Sequence, residues 1–317
     1  VHPAFSVIFF TVTSGAGYGL LACAMVAWLF RPDAAPWGVA GAIGLLLVVA
    51  GLCASTAHLG RPERAWRAFS QWRTSWLSRE GVAAVAGFPV LAAWTVLVLI
   101  GRDPDTATRL LALLGIAAAV VTTICTGMIY ASLKPIRRWR NQFTVPGYLL
   151  LAAASGAVLT VLIGEAAGGD TDGARWAALV LLAAAAGLKL SYWRWCATEG
   201  GIATIADATG LGARAGARGP VKLLEAPHTE SNYLTDEMGF RVARKHAERL
   251  RRIALGAGFL LPIGCLLLGW MVGDGLVATI AALVAVLGNA VGTLTERWLF
   301  FAEARHTVTL YYGAQAA

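Results

Sequence analysis

Charge is scarce in this chain. Asp, Glu, Lys and Arg make up 14 % of its 317 residues, against 57 % that are hydrophobic. Soluble domains carry about 25 % charged residues, so a water-soluble globule is excluded and the chain reads as an all-α integral membrane protein. The mean hydropathy of +0.64 agrees. The alternating apolar and polar pattern of a membrane barrel is also missing. Helices are what remains, because unpaired backbone groups are too costly in lipid.

Cysteine is sparse and scattered. Cys23, Cys53, Cys125, Cys196 and Cys265 form no Cys-x-x-Cys pair. An iron–sulfur cluster takes about four gathered thiolates, so no cluster is expected in this chain, and no disulfide. The cysteines read as small apolar packing residues. The five histidines are His2, His58, His228, His246 and His306, and none falls mid-span. Membrane proteins hold b-type haem with histidines that project from spans, so no haem is expected. There is no Gly-x-x-x-x-Gly-Lys-Ser/Thr loop, no His-Glu-x-x-His and no nucleophile motif, which leaves no support for an independent enzyme. The formal charge of +8 would suggest nucleic acid only if the basic residues lined a groove. They lie between apolar stretches instead, so no nucleic-acid partner is expected; membrane lipid is.

What the chain does have is eight apolar stretches, at about 5–30, 37–57, 81–101, 108–131, 145–165, 174–196, 253–272 and 276–300. Each is near the ~20 residues that cross a bilayer. The first lacks a basic leader and is too long for a signal peptide, so it reads as an uncleaved span. The loops on one side, with the adjoining span ends, hold 22 Lys and Arg; the other side holds only Arg31, Arg102, Arg109 and Arg175. The asymmetry puts the basic loops and both termini in the cytoplasm, in a single membrane domain over 1–317. The acidic stretch Gly164–Asp172 then lies outside.

Two cytoplasmic segments carry further pattern. Over 61–76, Trp66, Phe69, Trp72 and Trp76 gather on one side of a helical wheel with Arg64 and Arg67 opposite, the mark of an interfacial helix. The loop 197–252 contains the flexible, basic run Gly210–Pro220. It ends in an amphipathic helix over 235–252, with Thr235 as N-cap and Asp236 and Glu237 in the first turn, and this helix runs on into the seventh span. Glycine pairs at four-residue spacing, Gly15/Gly19, Gly269/Gly273 and Gly288/Gly292, suit close helix packing.

The chemistry concentrates in two residues. His58 closes the second apolar stretch and Glu80 opens the third, so both belong at the same depth of one membrane face. Taken alone, they are an interfacial histidine and a helix-start glutamate that the dipole favours. Ionisable groups at the hydrocarbon boundary nevertheless point to function, and the aromatic rings between them could flank a quinone. A quinone gains or loses two electrons and two protons; a histidine and a partly desolvated carboxylate can supply or accept those protons. Trp76 could flank the ring, and Arg61, Arg64 and Arg79 could orient its head group, although a solvated basic face explains those arginines as well. Tyr130, at the end of the fourth span on the same face, is a second-rank candidate. Lys189 is expected to snorkel, Asn289 and Thr293 to bond between helices, and Glu296 and Arg297 to pair with a neighbouring helix.

Five segments carry a resemblance: Val1–Thr11, Ser55–Pro62, Trp76–Glu80, Cys125–Ala131 and Pro227–Phe240. They resemble the membrane-anchor subunit family of dimethyl sulfoxide reductase over nearly the whole chain. The resemblance implies a complex with a molybdopterin catalytic subunit and a four-cluster ferredoxin-like iron–sulfur subunit. The anchor in it is haem-free and lets quinone (ubiquinone or menaquinone) react beside the last cluster. It also implies quinol binding at the positions of His58 and Glu80. Within the family the chain looks most like anchors of cytoplasmic sulfite-oxidising complexes. A secondary transporter, for instance of anions, is the alternative from another class. Such proteins show inverted repeats and midplane charges, and neither pattern is evident here.

Overall fold

The computed structural model describes residues 4–56, 61–198, 203–211, 221, 224–225, 246–273 and 275–312. In chain order the helices are α1 Phe5–Phe30, α2 Trp37–Thr56, a 3-10 helix Pro62–Gln71, α3 Trp76–Leu99, α4 Thr106–Ala131, α5 Thr144–Ala166, α6 Asp172–Ala197 and α7 Ile205–Thr209. They continue with α8 Ala247–Val272, α9 Leu276–Ala302 and α10 Val308–Tyr311. Eight of these, α1–α6, α8 and α9, are long and apolar enough to span a membrane. A 26-residue helix such as α1 is about 39 Å long, more than the ~30 Å hydrocarbon layer needs. The protein is therefore all-helical among its described residues and multi-pass.

Local chemistry sets the helix starts. Asp105 Oδ1 accepts the Thr108 backbone N–H at 2.8 Å, and Thr108 Oγ1 accepts the Asp105 N–H at 3.0 Å, which together cap α4. The third span begins at Trp76 rather than at 81. Ser75 is extended and its Oγ faces the Ser78 N–H, so the helix is nucleated one turn earlier than hydropathy suggests. The segment 62–71 is a 3-10 helix rather than an α-helix, started by Pro62. Of the expected amphipathic helix, residues 235–245 lie outside the described residues. The remainder, from Ala247, runs without a break into the seventh span.

Packing divides the bundle into two halves that meet on α1. Trp28, Trp37, Trp94, Leu20, Leu21 and Met25 fill the space among α1, α2, α3 and α4. Val158, Leu182, Phe259, Leu266 and Ala285 fill the space among α5, α6, α8 and α9. Across the join, α1 and α5 touch backbone to backbone. A Cβ on Gly19 would lie 1.8 Å from Ala152 O, and one on Gly156 would lie 2.0 Å from the Gly19 carbonyl carbon. Gly292 meets Gly258 in the same way, and a Cβ on Gly292 would lie 2.1 Å from the Gly258 Cα. Gly273 departs from the packing expectation: it has φ 75°, a Cβ there would meet no other residue within 4 Å, and it serves the turn between α8 and α9, where a left-handed residue is needed.

Candidate functional site

One end of the bundle is marked by an aromatic cluster. Tyr130, Trp139, Tyr148, Phe300 and Phe301 bury their rings together, with Tyr130 stacked on Tyr148 at 5.6 Å. Ile8 near the start of α1 and Ala304 just beyond α9 join the same cluster, so the first and last spans end on this face. The 132–143 connection lies here too, and the 3-10 helix leads into α3.

Glu80 sits in the second turn of α3 at this end, not at the helix start. It is 5 % exposed, and its Oε1 accepts a hydrogen bond from the Thr126 hydroxyl on α4. Thr122 O, 3.1 Å from the same hydroxyl, is the alternative acceptor. Burying a carboxylate is costly unless it is hydrogen-bonded or protonated. Thr126 supplies that bond, and Tyr130 follows it by one turn on the same helix face. Tyr130, the second-rank candidate, is interior, within the aromatic cluster.

The segment before Glu80 is held by backbone contacts. Ser78 Oγ donates to Ala68 O, and Gly81 lies against Phe69, which a Cβ would approach to 3.1 Å. Arg79 donates from Nε to Trp72 O at 2.9 Å and from Nη2 to Arg73 O at 2.7 Å, and its guanidinium lies over the Trp76 ring at 4.2 Å. Those two donors fix the turn into α3. Arg61 and Arg64 are exposed, with Arg64 Nε 3.9 Å from Glu63. Trp66 and Trp72 are also exposed, at 66 % and 52 %, and leave an outward aromatic face flanked by arginines. His58 lies outside the described residues. The structure thus joins Glu80, Thr126 and Tyr130 on one side, and Arg79, Trp76 and the 3-10 helix on the other.

Sequence reasoning missed a buried ionic cluster behind this site. Lys189 does not snorkel. Its ammonium pairs with Glu296 on α9 in the interior and lies 4.2 Å from the Tyr192 ring. Arg297 Nε is 3.4 Å from the other Glu296 oxygen, and its guanidinium covers Tyr148 at 3.8 Å. Glu296 and Arg297 do reach neighbouring helices, as expected. So does Asn289, which accepts from Ser155 at 2.7 Å and donates to Gly258 O at 3.0 Å. That carbonyl lies in a π-helical turn, Gly256–Leu260, where the regular i→i−4 ladder is interrupted.

The opposite end is built differently. Glu165 is not a loop residue: it closes α5, is buried, and pairs with Arg175 at 2.6 Å and with the Thr171 hydroxyl. Arg31 pairs with Asp170. The Asp172 backbone N–H, then Arg31, hold the Asp170 carboxyl below the usual carboxylate range. Asp105 is held well below that range by the Thr108 backbone N–H, with Arg102 2.7 Å away adding to the effect. An apolar groove of about 470 Å³ opens between α1, α5 and α6 beside Arg31 and Asp170.

Residues 1–206 match the family model described as DMSO reductase anchor subunit (DmsC). Over the full length of both chains, this protein is 35 % identical to a sulfite dehydrogenase subunit of Allochromatium vinosum. It is 30 % identical to anaerobic dimethyl sulfoxide reductase chain YnfH of Escherichia coli over 38 % of this chain and 43 % of that one.

Proposed function

This chain belongs to the DMSO reductase anchor subunit (DmsC) family, and we propose that it is the subunit through which its complex exchanges electrons with quinone. Its membership makes it the membrane anchor of an oxidoreductase complex. The finer reading is that it carries a molybdopterin catalytic subunit and a four-cluster ferredoxin-like iron–sulfur subunit. The full-length likeness to a protein of a sulfite dehydrogenase favours sulfite as the catalytic partner's substrate, with electrons passing from sulfite to quinone. The basic loops favour the cytoplasmic face of the inner membrane for the partners, the quinone site and both termini.

The observation that carries this reading is a buried, hydrogen-bonded carboxylate at the loop-bearing end of the bundle, behind an outward aromatic and basic segment. Bound quinone supplies two-electron, two-proton redox chemistry. The chain's own groups hold and move the protons. Glu80, kept in place by Thr126, exchanges a proton with one ring oxygen, and His58 serves the other. The cleft beside Thr126, on the interior side of the site, has room for about one water (about 10 Å³), so a ring belongs on the outer side, against Trp76 and the 3-10 helix. Arg61 and Arg64 give that mouth a positive field, and Arg79, stacked on Trp76, fixes its wall. Tyr130 backs the site from the interior. No haem and no cluster in this chain enter the scheme.

The test uses the assembled complex carrying Glu80→Gln or His58→Ala. The reading expects quinone-linked turnover to fall by about 10²-fold, within the range for a lost acid–base group, while turnover with a soluble electron acceptor that bypasses the anchor persists. Normal quinone-linked turnover and quinone KM in both variants would remove these residues from the mechanism.

A further inference from the structure

Beside Thr126, the hydrogen-bond partner of Glu80, a narrow cleft runs among α1, α4, α5 and α9 with about 10 Å³ of free space, which is about one water. Its wall is polar for an interior that lies within spanning helices. Thr11, Ser14, Thr126, Tyr148, Thr293 and Arg297 all border it. Thr11 and Ser14 donate to backbone carbonyls at 3.0 and 2.6 Å, so their oxygens still offer lone pairs to the cleft. Thr293 Oγ1 is buried with no hydrogen-bond partner among the described residues, and Tyr148 Oη is buried beside the Tyr130 hydroxyl. A donor lacking an acceptor and several acceptors with capacity to spare, around a water-sized space, are what a buried water requires. Thr126, which can donate to Glu80 or to Thr122 O, is the link between that water and the carboxylate.

The far wall reaches the buried ionic cluster. Arg297 borders this cleft and also a second narrow space beside Lys189, Tyr192 and Thr144, next to the 132–143 connection. Tyr148 lies under the Arg297 guanidinium at 3.8 Å, and Arg297 and Lys189 both contact Glu296. Polar groups therefore continue in one line from Thr126, the partner of Glu80, past Tyr148 and Arg297 to Glu296 and Lys189.

We propose that this line is the proton route serving Glu80: a water held by Thr293, Tyr148 and Thr126 joins the Glu80 carboxylate to the Lys189–Glu296–Arg297 cluster, whose other side meets the loops. The inference rests on the reading of Glu80 as the proton-handling carboxylate. When the Glu80 O–H bond breaks toward a quinone oxygen, an O–H bond re-forms with a proton passed along the water and the hydroxyls from Glu296. Glu296 draws that proton from the Lys189 ammonium, and Lys189 regains one from the loop side. One proton moves inward per cycle, no electron travels with it, and each residue ends as it began. Arg297 stays charged throughout and acts as a positioning residue that holds Glu296 and Tyr148.

Thr293→Val in the assembled complex is the test, because it removes the hydroxyl while keeping the shape. The inference expects quinone-linked kcat to fall about tenfold, equivalent to ~1.4 kcal/mol in the barrier. Quinone KM should stay within about twofold, the solvent deuterium isotope effect should rise, and Thr293→Ser should restore all three. A high-resolution map of the unmodified complex should show a water within hydrogen-bonding distance of Thr293 Oγ1. Unchanged kcat and isotope effect in Thr293→Val, or no water there in the unmodified complex, overturns the route. Glu80→Gln in the same assay separates the two readings: a strong loss there with a silent Thr293→Val sinks only the route, and a silent Glu80→Gln sinks both.

Discussion

Removing Lys189 alone should destabilise the bundle, and removing its charge partner as well should not double the cost. Lys189 and Glu296 side chains are 7 % and 1 % exposed, so each is a charge that lipid-facing helices have taken out of water. Breaking such a pair by deleting one partner costs about 3–5 kcal/mol, because the survivor stays buried and uncompensated. Arg297, 3.4 Å from the second Glu296 oxygen, retains part of the compensation, which sets Lys189→Met near the lower limit, about 3 kcal/mol. Glu296→Gln strands Lys189 in the same way and should cost a similar amount. The double variant should lose about 3 kcal/mol rather than about 6, a coupling of about 3 kcal/mol, at the upper end for a contacting pair. Equilibrium unfolding of the four proteins in mixed detergent micelles measures this cycle. Additivity within about 0.5 kcal/mol would mean that the two groups do not share a buried bond and that Lys189 reaches the lipid boundary after all.

Gly156→Leu should do more harm than most single changes, since its Cβ alone would fall 2.0 Å from the Gly19 carbonyl carbon; overpacking of this kind costs about 1–3 kcal/mol or more, and detergent unfolding with Gly187→Ala, where nothing lies within 4 Å, as the control should separate them. Trp66→Ala with Trp72→Ala should leave the chain's own stability unchanged, because both rings are exposed, yet release partner subunits on affinity purification; full retention would assign these rings to lipid alone. The Arg31–Asp170 contact has a pH signature: its carboxyl is depressed in the folded protein, so its contribution is fully present above the ordinary aspartate range and is lost as pH falls through the lower folded value. Both partners are well exposed, so Asp170→Asn should change stability by less than ~1 kcal/mol at neutral pH, and the difference from the parent should vanish in strong acid; a larger effect would show that the pair is better shielded than it looks.

The eight spans were legible because about twenty apolar residues in a row leave a chain few choices, and the basic connections mark one face. Glu80 was legible as an ionisable group at a boundary. Its depth was not, since the start of α3 is fixed by Ser75 and Ser78 rather than by hydropathy. Lys189 was misread because a lysine two turns inside a span can reach the interface, and only the α6–α9 register brings Glu296 under it. Glu165 looked like part of an acidic loop until Arg175, ten residues on, folded back to it. The 3-10 geometry of 62–71 was hidden for another reason: a wheel drawn at the α period gathers its aromatics whether or not the backbone follows that period. His58, the expected partner of Glu80, lies outside the described residues; the sequence alone brings the two to one membrane face.

The most direct measurement is a structure of the assembled complex with a bound quinone analogue. The account predicts the ring on the outer side of Glu80, with its two oxygens within about 2.6–3.2 Å of the Glu80 carboxylate and the His58 imidazole, and with an iron–sulfur cluster of the partner as its nearest redox neighbour. A ring lodged instead in the apolar groove beside Arg31 and Asp170 at the other end of the bundle, with His58 and Glu80 far apart, would contradict it.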